Sequence, residues 1–221
     1  MKLSEIKTKI PEFMYSQLDN KGMKELFPAQ EKAVKQGLFD RKNLLICTPT
    51  ASGKTLIAEF AAVNSIVNQI GKVIYIVPLK ALASEKYNDF KQKYGNKLRI
   101  ALSIGNTDSS DSYLENYDFI ITTSEKLDSL LRHHTPWLKY VSTIIIDEVH
   151  LLNDPSRGPT LEILITMLKD ILKNMQLISL SATIGNPKEL ARWLDAELII
   201  DTWRPVELKQ GIYLKKEIEY Y

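Results

Sequence analysis

The sequence predicts an α/β fold, a mostly parallel sheet with helices on both faces, and three observations lead to it. Apolar runs of strand length alternate with segments of helical spacing through most of the 221 residues. Several of these runs are apolar at every position, as a strand covered on two sides requires. The segments rich in Gly, Ser, Thr and acidic residues follow the carboxyl ends of these runs, where open parallel sheets collect their functional loops.

Taken in order, residues 1–40 read as an N-terminal helical layer with Phe13, Met14, Leu18, Leu26 and Phe27 apolar and a break near Asn20-Lys21-Gly22. The first strand runs from Asn43 to Cys47, and a helix follows from Leu56 to Val67. Val73 to Val77 is the second strand, with a helix from Ala81 to Phe90, and Arg99 to Ser103 is the third. Phe119 to Ile121 precedes a helix from Glu125 to Leu131, and Thr143 to Ile146 precedes one from Leu161 to Leu172. Leu177 to Leu180 leads to a helix from Lys188 to Leu194, where Asn186-Pro187-x-Glu189 supplies a cap, a first-turn proline and a capping glutamate. Leu198 to Ile200 is the last strand of the body, which spans residues 41–202. Trp203-Arg204-Pro205 stops it, and Val206-Glu207-Leu208 and Gly211-Ile212-Tyr213-Leu214 read as strands that pair with something further on. The 203–221 tail thus reads as a linker, as if the chain were cut inside a larger protein.

The composition, 44% hydrophobic and 25% charged, is that of an ordinary globular protein. No run approaches the roughly 18 apolar residues of a membrane span, and Met1-Lys2-Leu3-Ser4-Glu5 lacks the apolar stretch of a signal peptide. A cytoplasmic protein with no membrane partner is expected. The lone cysteine, Cys47, excludes a disulfide within the chain and sits at a strand end where a small packed residue is needed. A net charge of +2 points to no particular partner, although the basic residues concentrate in the first half of the chain.

The chemistry-bearing segments follow three of the strands. In Thr48-Pro49-Thr50-Ala51-Ser52-Gly53-Lys54-Thr55, a glycine and a helix start can bring backbone N–H groups to phosphate oxygens. Lys54 is then placed for the β- and γ-phosphates and Thr55 for a magnesium ion. The strict phosphate-loop pattern has glycine at position 48, so the segment alone also fits an ordinary helix start. Asp147 and Glu148 follow the wholly apolar Ile144-Ile145-Ile146. Carboxylates there suit a cation: Asp147 for magnesium, partly through water, and Glu148 to orient and deprotonate an attacking water. Asp147 and Glu148 also suit a helix cap and its first turn. His150 belongs to the same segment, and Ser181-Ala182-Thr183 follows the strand ending at Leu180. Taken singly, His150 fits a packed histidine and Ser181 and Thr183 fit turn caps.

Together these segments resemble superfamily 2 helicases, in particular the Ski-like branch and its archaeal fork-repair DNA helicases, from about Phe27 to Leu208. Phe27-Pro28-Ala29-Gln30 resembles the adenine-reading motif, with Gln30 on the base edge. Pro78-Leu79-Lys80-Ala81-Leu82-Ala83 resembles motif Ia, and Thr122-Thr123-Ser124-Glu125-Lys126-Leu127-Asp128 resembles motif Ib; both touch the strand backbone in the family. Asp147-Glu148-Val149-His150 is similar to motif II, a DEVH box. Arg157-Gly158-Pro159-Thr160-Leu161-Glu162 is similar to the stretch that follows it in this branch, and Ser181-Ala182-Thr183 to motif III, with His150, Ser181 and Thr183 in coupling roles. Thr48 and Gly105-Asn106-Thr107-Asp108 depart from the usual patterns. The resemblance implies a RecA-like lobe that binds ATP and Mg2+ and contacts single-stranded or forked DNA. It also implies a second RecA-like lobe and accessory domains in the same full-length chain, action as a monomer, 3′→5′ movement and a place in nucleoid repair and recombination. Alone, such a lobe is expected to be nearly inactive.

Without the resemblance, the helix starts at Leu79 and Ser124, followed by Lys80, Lys86 and Lys126, can hold phosphates along a strand or be plain caps with solvated lysines. An RNA-remodelling relative, and a small-molecule P-loop kinase or an ATP-gated binding module, remain the alternative readings.

Overall fold

The computed structural model describes residues 1–105, 111–133, 135–206, 211–214 and 217–220. Seven strands form one sheet in which every neighbouring pair is parallel. They are β1 (Leu44–Cys47), β2 (Lys72–Val77), β3 (Ile100–Ser103), β4 (Phe119–Thr123), β5 (Val141–Ile146), β6 (Gln176–Ser181) and β7 (Glu197–Ile200), in the order β3-β4-β2-β5-β6-β1-β7.

The period of two in a strand sorts the core into two halves. Leu44, Ile46, Val73, Tyr75, Val77, Ile145, Ile178 and Leu180 face one side. They pack against α1 (Glu12–Asn20), α2 (Pro28–Lys35), α3 (Lys54–Val67) and α4 (Lys80–Tyr94). Leu45, Cys47, Ile74, Ile76, Ile144, Ile146 and Leu177 face the other, under α5 (Ser124–Arg132), α6 (Gly158–Ile171) and α7 (Pro187–Leu194). Both sheet faces are therefore covered, as the apolar runs predict. Burial pushes the Cys47 thiol up to about 11 and leaves it a packed, un-ionised group.

The helices and strands mostly extend beyond the apolar patterns that reveal them. α3 starts two residues earlier than its apolar pattern, directly after the left-handed Gly53, so Lys54 is its first residue. Asn186 precedes α7 but makes no side-chain bond to its backbone; instead its amide donates to Glu189 at 3.4 Å. In the tail, Val206 lies in a bend, whereas Glu207 and Leu208 lie outside the described residues, as do Asn106, Thr107 and Asp108. Gly211–Leu214 does pair, antiparallel with Glu217–Tyr220. Among the described residues, no helix is long and apolar enough to cross a membrane.

Candidate nucleotide and nucleic-acid site

β1, β6 and β5 lie side by side, so their carboxyl ends bring Thr48, Ser181 and Asp147 to one edge of the sheet. The loop after β1 has two left-handed residues, Ala51 (φ 65) and Gly53 (φ 83), with Ser52 between them. Alternation of this kind turns successive N–H groups toward one point and makes an anion-binding concavity. Thr48 is not among the left-handed residues, so no glycine is needed there. Its hydroxyl is buried and shares a 2.6 Å hydrogen bond with Ser52, which braces the loop. Pro49 is buried, whereas Thr50 and Ala51 are exposed at the loop tip.

Lys54 is 9% exposed and donates to the carbonyls of Thr48 (2.8 Å) and Ser181 (2.9 Å), joining the ends of β1 and β6. Burial lowers its pKa, and the nearby carboxylates of Glu148 and Asp147 oppose that shift. The Asp147 carboxylate accepts the Tyr75 hydroxyl at 2.8 Å and the Glu148 N–H at 3.1 Å. Tyr75 is completely buried, and burial followed by the negative Asp147 raises its pKa well above the usual phenol value. It therefore remains a donor that holds Asp147 in place. Sequence reasoning missed it; the available signal was that a phenol in an apolar strand must find an acceptor.

Glu148 is left-handed (φ 54), a sparsely populated conformation for a non-glycine residue and one that clusters at functional sites. Its carboxylate lies 3.2 Å from Nδ1 of His150, and the Ala182 N–H lies 3.4 Å from the same nitrogen. One nitrogen cannot donate to the first and accept from the second at once. His150 thus stands between the acidic segment and Ser181-Ala182-Thr183, with Ser181 buried and Thr183 exposed.

Phe27 and Gln30 open α2, where the Gln30 amide accepts from the Phe27 N–H (2.9 Å) and donates to the Gly53 carbonyl (3.2 Å). A Cβ on Gly53 would clash with Gln30 Nε2 and lie 2.9 Å from the Phe27 ring. Gly53→Ala combines that clash with an unfavourable φ, so stability is expected to fall by about 1–3 kcal/mol and nucleotide affinity to fall with it; a thermal melt and titration with a fluorescent nucleotide check this. These residues, with Leu18, Met23, Thr55, Leu56 and Lys86, line a cavity of about 720 Å³ between the N-terminal layer and α3 and α4. That room suits a nucleoside. The Phe27 ring also meets the Trp203 indole, with centroids 4.7 Å apart. Asp201 pairs with Lys32 of α2 at 2.8 Å and accepts from the Trp203 N–H at 2.7 Å.

Pro78 and Arg157 come together, the Arg157 guanidinium donating to the Pro78 carbonyl at 3.3 Å. Leu79 and Lys80 are exposed, and Leu79 gives α4 no side-chain cap, which leaves first-turn N–H groups available. Thr122, Thr123, Ser124 and Lys126 differ from the expectation of an open strand-binding surface, since all are buried. The Lys126 ammonium, only 2% exposed, pairs with Asp111 at 3.1 Å, and Thr123 caps α5. Burial without such a partner would cost several kcal/mol, so Lys126 is held inside by Asp111 rather than presented to a phosphate.

For a magnesium ion the donors present fit: Thr55 offers a hydroxyl and Asp147 a carboxylate already fixed by Tyr75, and hard oxygens are what this cation takes. Among the described residues no cluster of three or more His, Cys, Asp or Glu side chains forms an all-protein metal cage. A magnesium ion that keeps its waters and leans on phosphates does not need one.

The DEAD/DEAH box helicase family pattern matches residues 27–190. The ATP-dependent DNA helicase Hel308 of Methanocaldococcus jannaschii is 58% identical over 206 residues, 90% of this chain and 17% of that protein. The Hel308 of Methanococcus vannielii is 53% identical over 210 residues, covering 92% and 28%. Among solved structures, the DUF1998 helicase MrfA bound to DNA superposes with a TM-score of 0.74 at 28% identity, covering 88% of this chain and 30% of that one. The chain thus spans less than a third of each of these relatives.

Proposed function

This chain belongs to the DEAD/DEAH box helicase family, and from that premise we propose that it is the first RecA-like motor lobe of an ATP-dependent 3′→5′ DNA helicase of the Ski-like branch, acting in fork repair. One observation carries the reading. The left-handed phosphate loop and the Asp147-Glu148 pair converge on one sheet edge beside the cavity of Phe27 and Gln30. Gln30 would read the base, and the loop from Thr48 to Thr55 would cradle the phosphates. Thr55 and Asp147 would hold magnesium, which supplies charge neutralisation on the phosphates when bound. Glu148 would act as the base toward water. His150, through its contact at Ala182, would relay the state of the acidic pair to Ser181 and Thr183.

The strand would lie across Pro78, Leu79, Lys80 and Arg157. The start of α5 at Ser124 would add backbone N–H groups only, because the side chains of Thr122, Thr123 and Ser124 are buried. Such contacts hold phosphates without reading bases. An arginine finger is worth about 10³- to 10⁵-fold in turnover; the proposal places it on a second lobe, so this chain alone is expected to hydrolyse ATP very slowly.

The test is unwinding by the protein carrying both lobes, offered fork DNA with a 3′ tail or duplex RNA of equal length. DNA unwinding that requires the 3′ tail is expected. Activity on RNA alone would favour the RNA-remodelling reading. Brisk phosphotransfer to a metabolite by this chain, with no nucleic acid, would point to the P-loop kinase instead.

A further inference from the structure

We infer that Lys86 is a second polyphosphate-binding cation of the nucleotide site, reaching it from α4; the inference rests on the nucleotide reading above. Lys86 follows Lys80 by six positions on that helix, so its sequence position suggests a place along the strand. In the fold its half-buried side chain turns instead toward the phosphate loop, where its ammonium lies 3.3 Å from the Thr55 hydroxyl. It lines the same cavity as Phe27, Gln30, Gly53 and Thr55.

The acids lining the cavity are Glu25, Glu59 and Asp89, and none of them forms an ion pair with Lys86. Glu59 is held by Lys93 at 3.0 Å and by the Tyr94 hydroxyl, and Asp89 by Lys93 at 2.8 Å. Among the described residues, Lys86 forms no ion pair with any carboxylate. The end of the cavity nearest Thr55 is left with a positive charge bonded only to a neutral hydroxyl. An ammonium in that setting gains most from an anion, because a phosphate oxygen adds the attraction of opposite charges to the hydrogen bond, which a neutral hydroxyl does not. A ligand with its base beside Phe27 and its terminal phosphates on Lys54 passes its α- and β-phosphates across Thr55, within reach of a lysine side chain. Lys54 and Lys86 then approach the chain of phosphates from two different helices.

The experiment measures binding of a fluorescent, hydrolysis-resistant ATP analogue with magnesium to this chain as wild type, Lys86→Met, Lys86→Arg and Lys54→Ala, alongside nucleotide-free thermal midpoints. Methionine keeps the apolar stem and removes the charge. Lys86→Met is expected to weaken binding about tenfold, as for loss of a charge-assisted hydrogen bond, at an unchanged midpoint, and Lys86→Arg to recover most of it. Wild-type affinity in Lys86→Met with loss in Lys54→Ala overturns the inference and leaves the site standing. A loss in Lys86→Met matched by a lower midpoint and not recovered by arginine also overturns it, since the role is then structural. Wild-type affinity in both Lys86→Met and Lys54→Ala overturns the nucleotide site and this inference with it.

Discussion

Lys54→Ala is expected to reduce affinity for Mg-ATP by about two to four orders of magnitude, because two charge-assisted hydrogen bonds to phosphate oxygens disappear, each worth about 1.5–3 kcal/mol. The ammonium already shows where it will act. It is buried at the head of α3 and bonded to the carbonyls of Thr48 and Ser181, with the Asp147 and Glu148 carboxylates near enough to act on its pKa. Those two carbonyls lose their donor in the variant, so the thermal midpoint should also fall by a few degrees, less than a sealed interior would give since water can enter the vacated space. Nucleotide titration and a thermal melt on the same preparation separate the two effects. Unchanged affinity would mean that no phosphate lodges at this loop.

Glu148→Gln should behave in the opposite way: binding is retained, while turnover by the protein with both lobes drops about 10²- to 10⁴-fold, the usual worth of a general base. Glutamine has nearly the shape of glutamate and can keep the left-handed backbone at position 148, so the fold and the Asp147 contact to its N–H persist. What is lost is the ability to take a proton. Single-turnover hydrolysis with pre-bound ATP reads this step without interference from affinity. Hydrolysis at the wild-type rate would remove Glu148 from the role.

How much of this was legible follows from the range of each interaction. The parallel sheet was readable because Leu44–Cys47, Val73–Val77 and Ile144–Ile146 are apolar on both faces, a local property of the chain. The positions of the phosphate loop and Asp147-Glu148 at strand ends were equally local. Strand order was not legible, since β1 lies between β6 and β7, and those pairings join residues far apart in sequence. The same limit hid the fate of individual side chains. Lys126 carries the charge of a surface residue, and only the folded chain brings Asp111 to it. Tyr75 reads as core because nothing near it in sequence announces Asp147 as its acceptor. Thr48 departs from the usual glycine, and only the backbone shows that the left-handed positions are Ala51 and Gly53. Lys86 lies six residues beyond the exposed Lys80, and helix geometry alone turns it toward Thr55.

The pairing of Trp203 with Phe27, together with Lys32 on Asp201, fastens the exit from β7 to the helix that begins at the Phe27–Gln30 cavity. An aromatic pair of this kind contributes about 0.5–1.5 kcal/mol beyond simple burial, which biases the two segments to move together. A tilt of α2 caused by an incoming nucleoside would then bear directly on the departing backbone, like a lever with a short arm, without being passed through the sheet.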